Sequence, residues 1–296
     1  MQTKSQIYNL LAEAQVRLNK KFGQNFLIDG NLMRLLVETA GIAKTDVVLE
    51  VGCGTGGLSE ELAKRCGFLI AVEIDNKLAE ISENRQKNIS NVQIINTDVL
   101  SDKHTINKEV IEAVREARKR LEGRFLLVSN LPFSAATPLI MNLVWGPLAA
   151  DAMYVTVQKE VAQRMTARAG DSEYGILSVI LSCFGKVKLV RILPASVFWP
   201  MPKVESAMVS FERDEEKAKR IEDAEILVEV VNLFMQHRRK MLKGSIKYAQ
   251  GRLSKISNWD ELFEQSGIDR QQRPQMIEAE KYLALANLCH RQLFKS

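Results

Sequence analysis

A glycine-rich stretch, Val51-Gly-Cys-Gly-Thr-Gly-Gly57, follows an apolar run and opens a helical pattern. Its spacing is Gly52-x-Gly54-x-Gly56. Glycines let a backbone turn sharply and let a ligand approach with no Cβ in the way. Gly52, Gly54 and Gly57 also meet the dinucleotide pattern Gly-x-Gly-x-x-Gly, so spacing alone leaves an ordinary turn or a nicotinamide cofactor open. The acids around the loop narrow the chemistry. Glu50 stands two residues before Gly52, where a carboxylate disfavours a pyrophosphate and suits a cationic ligand part such as a sulfonium or amino group. Glu73, about 20 residues past the glycines, can accept hydrogen bonds from both ribose hydroxyls. Asp98, in Asn96-Thr-Asp98, is placed to meet an adenine amino group. Three acids at the carboxyl ends of three successive strand patterns point to S-adenosylmethionine, and no hydride-transfer residues follow them.

A fourth strand pattern ends in Ser129-Asn-Leu-Pro-Phe133. Pro132 forces Leu131 into an extended backbone. The Leu131 carbonyl and the Asn130 side-chain amide can then face one point. An exocyclic amino group has two N–H donors, and two such acceptors would hold both and aim the nitrogen lone pair elsewhere. The Phe133 ring offers a face on which a planar base can stack, worth roughly 1–3 kcal/mol. Asn130, Leu131, Pro132 and Phe133 are the candidate catalytic residues.

These groups need elements to hold them. Val47–Gly52, Phe68–Ile74, Val92–Asp98, Arg124–Asn130 and Ala152–Gln158 read as strands, nearly all apolar, which suits strands covered on both faces. Helical patterns alternate with them over Gly57–Cys66, Lys77–Asn88, Ile106–Leu121 and Pro138–Trp145. The succession predicts a doubly wound parallel α/β sheet. Val187–Leu193 and Ala207–Glu212, after a helix over Tyr174–Phe184, predict an antiparallel edge. Residues 213–220 are polar apart from one alanine and read as a linker or a solvated first turn. Beyond them Ile221–Gln250, Asn258–Ser266 and Gln275–Leu293 look helical. The expected organisation is an α/β domain over 1–213, carrying the S-adenosylmethionine candidates, and a small all-α domain over 214–296.

Composition sets the outer limits. The 296 residues are 46% hydrophobic and 26% charged, which excludes disordered and fibrous classes. A net charge of +5 permits a nucleic-acid partner without requiring one. No apolar run reaches the ~18 residues of a membrane span. Met1 to Lys20 reads as an amphipathic helix rather than a signal peptide. Cys53, Cys66, Cys183 and Cys289 stand far apart, as do His104, His237 and His290, so neither a disulfide framework nor a metal site is expected. The expected setting is cytoplasmic, and the expected state monomeric.

The chain resembles the family of small-subunit ribosomal RNA adenine N6,N6-dimethyltransferases, with its erythromycin-resistance and mitochondrial transcription factor cousins. The resemblance begins at Lys20-Lys-Phe-Gly-Gln-Asn-Phe-Leu27. It continues through Val51–Gly56, Glu73-Ile-Asp75, Asp98, Asn130–Phe133, Gln158–Arg164 and Tyr174-Gly175. Phe198-Trp-Pro-Met-Pro-Lys-Val-Glu-Ser206 and a basic helix around His237–Leu242 complete it. The resemblance implies a Rossmann-like class I methyltransferase sheet and S-adenosylmethionine contacts from Asn25, Leu27, Gly52, Gly54, Glu73, Asp98 and Asn130. It implies methylation of two adjacent adenosines near the 3′ end of the small-subunit RNA in an immature 30S particle. Three departures stand out. Phe133 replaces the usual tyrosine, Asp102–Gly123 is long and highly charged, and Arg273-Pro-Gln stands where Arg-Ala-Glu is common.

Seven lysines and arginines and no acid lie between Val230 and Trp259. Paired with a methylase site, this run predicts a phosphate-binding face through Arg238, Arg239, Lys240 and Lys243, extended by Lys20 and Lys21. Met235 and Met241 read as core, and His237 as a helix-surface residue. Three functions compete: the small-subunit dimethyltransferase, a drug-resistance methylase of large-subunit RNA, and a binding factor that keeps the fold without turnover. The full-length C-terminal part and Pro202–Ser206 favour the first, and the intact Glu73, Asp98 and Asn130 argue against the third.

Overall fold

The computed structural model describes residues 2–16, 18, 23–102 and 105–294. Lys20, Lys21 and His104 lie outside the described residues. The chain falls into two compact units, Met1–Ala162 with Lys188–Glu212, and Gln163–Val187 with Arg213–Ser296.

The strands run in chain order as β1 (Phe26–Leu27), β2 (Val47–Val51), β3 (Phe68–Glu73), β4 (Val92–Asn96), β5 (Leu100–Asp102) and β6 (Thr105–Ile106). They continue as β7 (Phe125–Asn130), β8 (Ala152–Gln158), β9 (Gly185–Leu193), β10 (Phe198–Trp199) and β11 (Ser206–Arg213). Seven form one sheet in the order β4-β3-β2-β7-β8-β11-β9. The first five in that order are parallel, and β11 runs antiparallel to β8. Every residue of β2 is buried, and so is β7 up to Ser129, as continuous apolar strands between helical layers require. The chain leaves β2 to one side through β3 and β4 and returns on the other at β7. Open α/β sheets hold ligands at such a reversal, outside the carboxyl ends of the strands.

Within the charged segment 102–123, β5 ends at Asp102, β6 pairs with it antiparallel, and the helix Lys108–Arg120 follows. Val110, Val114 and Ala117 give that helix one buried stripe, and its charges occupy the remaining faces. The helix Lys4–Glu13 buries Ile7 and Leu11 against Leu78 and Ile81. The short β1 pairs with β10, Phe26 opposite Trp199 and Leu27 opposite Phe198. Two sequence signatures more than half the chain apart thus form one ladder.

The second unit differs from the expected division. Residues 163–187 group with the C-terminal helices rather than with the sheet. The helix Ile176–Phe184 is apolar nearly all round, so it needs cover on every side. It packs on the helices Ala224–Met235 and Ala279–Phe294. The Tyr174 hydroxyl donates to the Ile277 carbonyl at 2.9 Å. Asp214 caps the one-turn helix Glu215–Ala218, so the polar run 213–220 is partly structured.

The uninterrupted helix expected over Ile221–Gln250 is also broken. It ends at Met235, and a turn over Gln236–Lys240 leads to the short helix Leu242–Ser245. The apolar stripe stops there, because His237 and Arg238 occupy the positions that would extend Phe234 and Met235 along it. Met235 is buried as expected, whereas Met241 is 48% exposed. No helix among the described residues is long and apolar enough to cross a membrane.

Candidate functional site

β2 delivers the chain into the glycine loop. Gly52 and Gly54 adopt φ of +76° and +57°, a region L side chains rarely enter. Space enforces the same choice. A Cβ on Gly52 would lie 2.9 Å from Pro132 Cγ, and one on Gly54 2.7 Å from Phe26 Cε1. Phe26 is held by near-parallel packing on Trp199, with ring centroids 6.4 Å apart.

Glu73 ends β3 and is buried beside the loop. Its Oε2 accepts from the Gly54 N–H at 2.8 Å and its Oε1 from the Asp75 N–H at 3.0 Å. Burial pushes this carboxyl above the usual carboxylate range, against the two N–H groups that hold it down. Asp75 caps the next helix through Lys77 and Leu78 and accepts from Gln24 Nε2 at 3.1 Å. Asp98 lies two residues beyond β4, exposed, its Oδ1 accepting from the Leu100 N–H at 3.0 Å.

A cavity of about 360 Å³ opens at these strand ends. Asn25, Gly52, Gly54, Glu73 and Asp98 line it, as do all four residues Asn130–Phe133. Phe26, Val72, Ile74 and Leu78 supply apolar wall. Two expected site residues are placed elsewhere. Leu27 and Glu50 line a separate cavity of about 40 Å³, which Phe26, Gly52 and Asn130 share with the larger one. Leu27 faces inward because its register against Phe198 turns it to the core. Glu50 belongs to a strand buried on both faces, its Oε2 has no hydrogen-bond partner among the described residues, and burial pushes its pKa up to about 8. Burial thus favours its neutral form over the anion expected to meet a cationic ligand.

The catalytic candidates close the wall. β7 ends at Asn130, and Pro132 rests against Gly52. Asn130 Nδ2 donates to the Asn25 carbonyl at 2.8 Å, and its Oδ1 accepts from the Thr156 hydroxyl. The Leu131 N–H donates to the Thr156 carbonyl at 3.2 Å. Phe133 is half-buried in the turn before the helix Ala136–Trp145. Sequence reasoning missed Phe26, Gln24 and Thr156. The signal for Thr156 was the one aliphatic hydroxyl in the run Ala152–Val157.

The basic residues of the second unit sit on a corner, not on a helix. A cavity of about 510 Å³ there is lined by Arg238, Arg239, Lys240 and Arg273 with no acid among its walls. Arg273, missed from the sequence, is brought in because the Leu242 N–H donates to the Gln272 carbonyl at 3.0 Å. Arg238 Nη2 donates to the Ser172 carbonyl at 2.8 Å. Lys243 is exposed beside this corner, outside the cavity lining. His237 stacks on Tyr248 at 4.0 Å between centroids, and the Lys240 and Lys247 ammonium groups lie 5.6 and 5.2 Å from that ring. Arg252, one of the seven cations in the run, is neutralised by Asp223, Glu225 and Glu229.

A family model described as ribosomal RNA adenine dimethylase matches residues 15–287. The ribosomal RNA small subunit methyltransferase A of Caldanaerobacter subterraneus subsp. tengcongensis is 35% identical, over 92% of this chain and 97% of that one. The protein of the same description from Geobacillus thermodenitrificans is 32% identical, over 94% and 93%. Among solved structures, a dimethyladenosine transferase from Plasmodium falciparum matches with a TM-score of 0.68 at 22% identity, covering 87% of this chain and 94% of that one. The 23S rRNA methyltransferase ErmE matches with a TM-score of 0.63 at 22% identity, covering 88% and 98%. The two structures share the fold, and the sequence matches extend along nearly the whole chain: it belongs to the ribosomal RNA adenine dimethylase family.

Proposed function

We propose that this protein transfers methyl groups from S-adenosylmethionine to N6 of two adjacent adenosines near the 3′ end of small-subunit ribosomal RNA during ribosome assembly, acting as a cytoplasmic monomer. One observation carries the reading. In a chain of this family, the Asn130–Phe133 turn lines one cavity together with Glu73 and Asp98. Two acids at neighbouring strand ends with apolar wall beside them fit a nucleoside. Glu73 would accept from ribose hydroxyls with its remaining lone pairs, and Asp98 would accept from the adenine amino group. The donor supplies an electrophilic methyl group on sulfur.

Adenine N6 is a weak nucleophile, so the residues of the chain act mainly by positioning. The Asn130 oxygen and the Leu131 carbonyl accept the two N6 hydrogens and aim the lone pair at the methyl carbon. Phe133 stacks the base, which must leave its own stack to reach the cavity. The N–CH₃ bond forms as the S–CH₃ bond breaks. The sulfur keeps the bonding pair, and N6 then releases a proton to water. Arg238, Arg239, Lys240 and Lys243 would hold RNA phosphates, joined by Arg273.

The test is transfer of labelled methyl to immature 30S particles, followed by mapping of the modified nucleosides. Dimethyladenosine at two adjacent positions is the expected result. With large-subunit RNA supplied in a parallel reaction, label appearing only there would assign the drug-resistance activity instead. Phe133→Tyr should retain activity and Phe133→Ala should lose most of it. A native protein that is inactive on every RNA while Phe133→Tyr is active would make it a binding factor with a silenced site.

A further inference from the structure

We propose that Thr156 is a positioning residue for the methyl transfer, holding the Asn130 carboxamide with its oxygen turned toward the incoming amino group. This rests on the reading of Asn130 as an acceptor of the adenine N6 hydrogens. The register of the two parallel strands sets Thr156 beside Asn130 at the carboxyl end of the sheet. Thr156 is 1% exposed, and a buried hydroxyl in an apolar strand needs a partner.

The direction of each hydrogen bond follows from the groups present. The Asn25 backbone carbonyl can only accept, so it selects the NH₂ end of the Asn130 carboxamide, at 2.8 Å. The oxygen end must then face Thr156, and the Thr156 hydroxyl must donate to it. A carboxamide oxygen has two lone pairs. Thr156 takes one and leaves the other for a substrate N–H. The Thr156 carbonyl also accepts from the Leu131 N–H at 3.2 Å, which fixes the peptide plane between Asn130 and Leu131. One residue therefore holds the Asn130 oxygen through its side chain and the Asn130–Leu131 peptide through its main chain. Without the hydroxyl, the Asn130 oxygen loses its donor and the carboxamide swings about its single remaining bond to Asn25. The main-chain bond stays in place, so a side-chain substitution isolates the first effect.

Thr156→Val keeps the shape and removes the donor, and Thr156→Ser keeps the donor. Each is assayed on immature small-subunit particles at saturating S-adenosylmethionine, with Asn130→Ala alongside and thermal melts of every variant. Thr156→Val should lower kcat by roughly tenfold to a hundredfold, because small misplacements of reacting groups have effects of that order. Its KM for RNA should stay within about twofold, since the basic residues assigned to the RNA phosphates are untouched. Thr156→Ser should recover most of the lost kcat. Native kcat in Thr156→Val, or equal impairment of the valine and serine variants, would overturn the proposal. If the valine variant does not fold, Thr156→Ala replaces it under the same criteria. Native turnover in Asn130→Ala would instead overturn the reading of Asn130 itself. A slow Asn130→Ala beside a fast Thr156→Val would sink Thr156 alone.

Discussion

Glu73→Gln should weaken donor binding and loosen the empty protein at the same time. The two effects share one cause. Each Glu73 oxygen accepts a backbone N–H, from Gly54 and from Asp75. Glutamine has one accepting oxygen, so its NH₂ end must face one of those N–H groups. A buried donor left without an acceptor costs about 1–3 kcal/mol. Loss of the charge from the surviving bond adds a comparable amount, since hydrogen bonds to charged groups contribute about 1.5–3 kcal/mol. The raised pKa of Glu73 offsets part of this, because the carboxylate already bears a burial penalty that the amide lacks. A net loss of roughly 2 kcal/mol corresponds to a fall in Tm of about 4–8 °C for a unit of this size. Donor affinity should fall by a further factor of about 30, as two charge-assisted bonds to ribose become neutral. Thermal melts without ligand measure the first quantity and titration calorimetry with S-adenosylmethionine the second. A weakened donor with an unchanged melt would refute the claim that Glu73 pins the glycine loop. An unchanged donor affinity would remove Glu73 from the site.

Gly54→Ala places a methyl 2.7 Å from the Phe26 ring at a φ of +57°. Phe26, which lines the cavity, must shift, so donor affinity should drop more than tenfold, read by the same calorimetry. Glu50 holds its proton up to about pH 8 when folded, whereas an unperturbed carboxyl loses it near 4.5. Stability from this group is complete below about pH 4.5 and is lost as pH rises toward 8, with a slope of at most about 1.4 kcal/mol per pH unit. The Tm of Glu50→Gln relative to the parent should therefore climb between pH 5 and 8, and parallel curves would show that Glu50 titrates normally. Replacing Arg239, Lys240 and Arg273 together by alanine should reduce the slope of log K against log salt for RNA by roughly 2, at about 0.7 per phosphate on a single strand. Donor affinity should not change, and an equal salt slope would assign the corner to solvent.

The glycine loop, the acids after it and the Asn-Leu-Pro-Phe turn were legible in the sequence because each is local. A strand, a turn and a helix start occupy a dozen residues, and hydrophobic periodicity marks where each begins. The succession of apolar runs was enough to predict one doubly wound parallel sheet, since right-handed crossovers leave few arrangements. What surrounds those motifs was decided by the tertiary structure. Asn130 meets a carbonyl 105 residues away and a hydroxyl 26 residues away, and only the packing of the N-terminal segment and the register of two strands bring them together. Phe26 closes over Gly54 because a two-residue strand pairs with Phe198–Trp199. Glu50 and Glu73 look equivalent along the chain, one before the loop and one after it. Burial on both faces of the middle strand keeps the first protonated in its own small cavity, while the second opens onto the larger one. The charge run looked like a helix because lysine and arginine are good helix formers. It folds as a corner because a helix in a packed unit needs an apolar stripe, and the stripe ends at Met235. Arg273 joins that corner, and Arg252 leaves it for three acids, through contacts that no local pattern encodes.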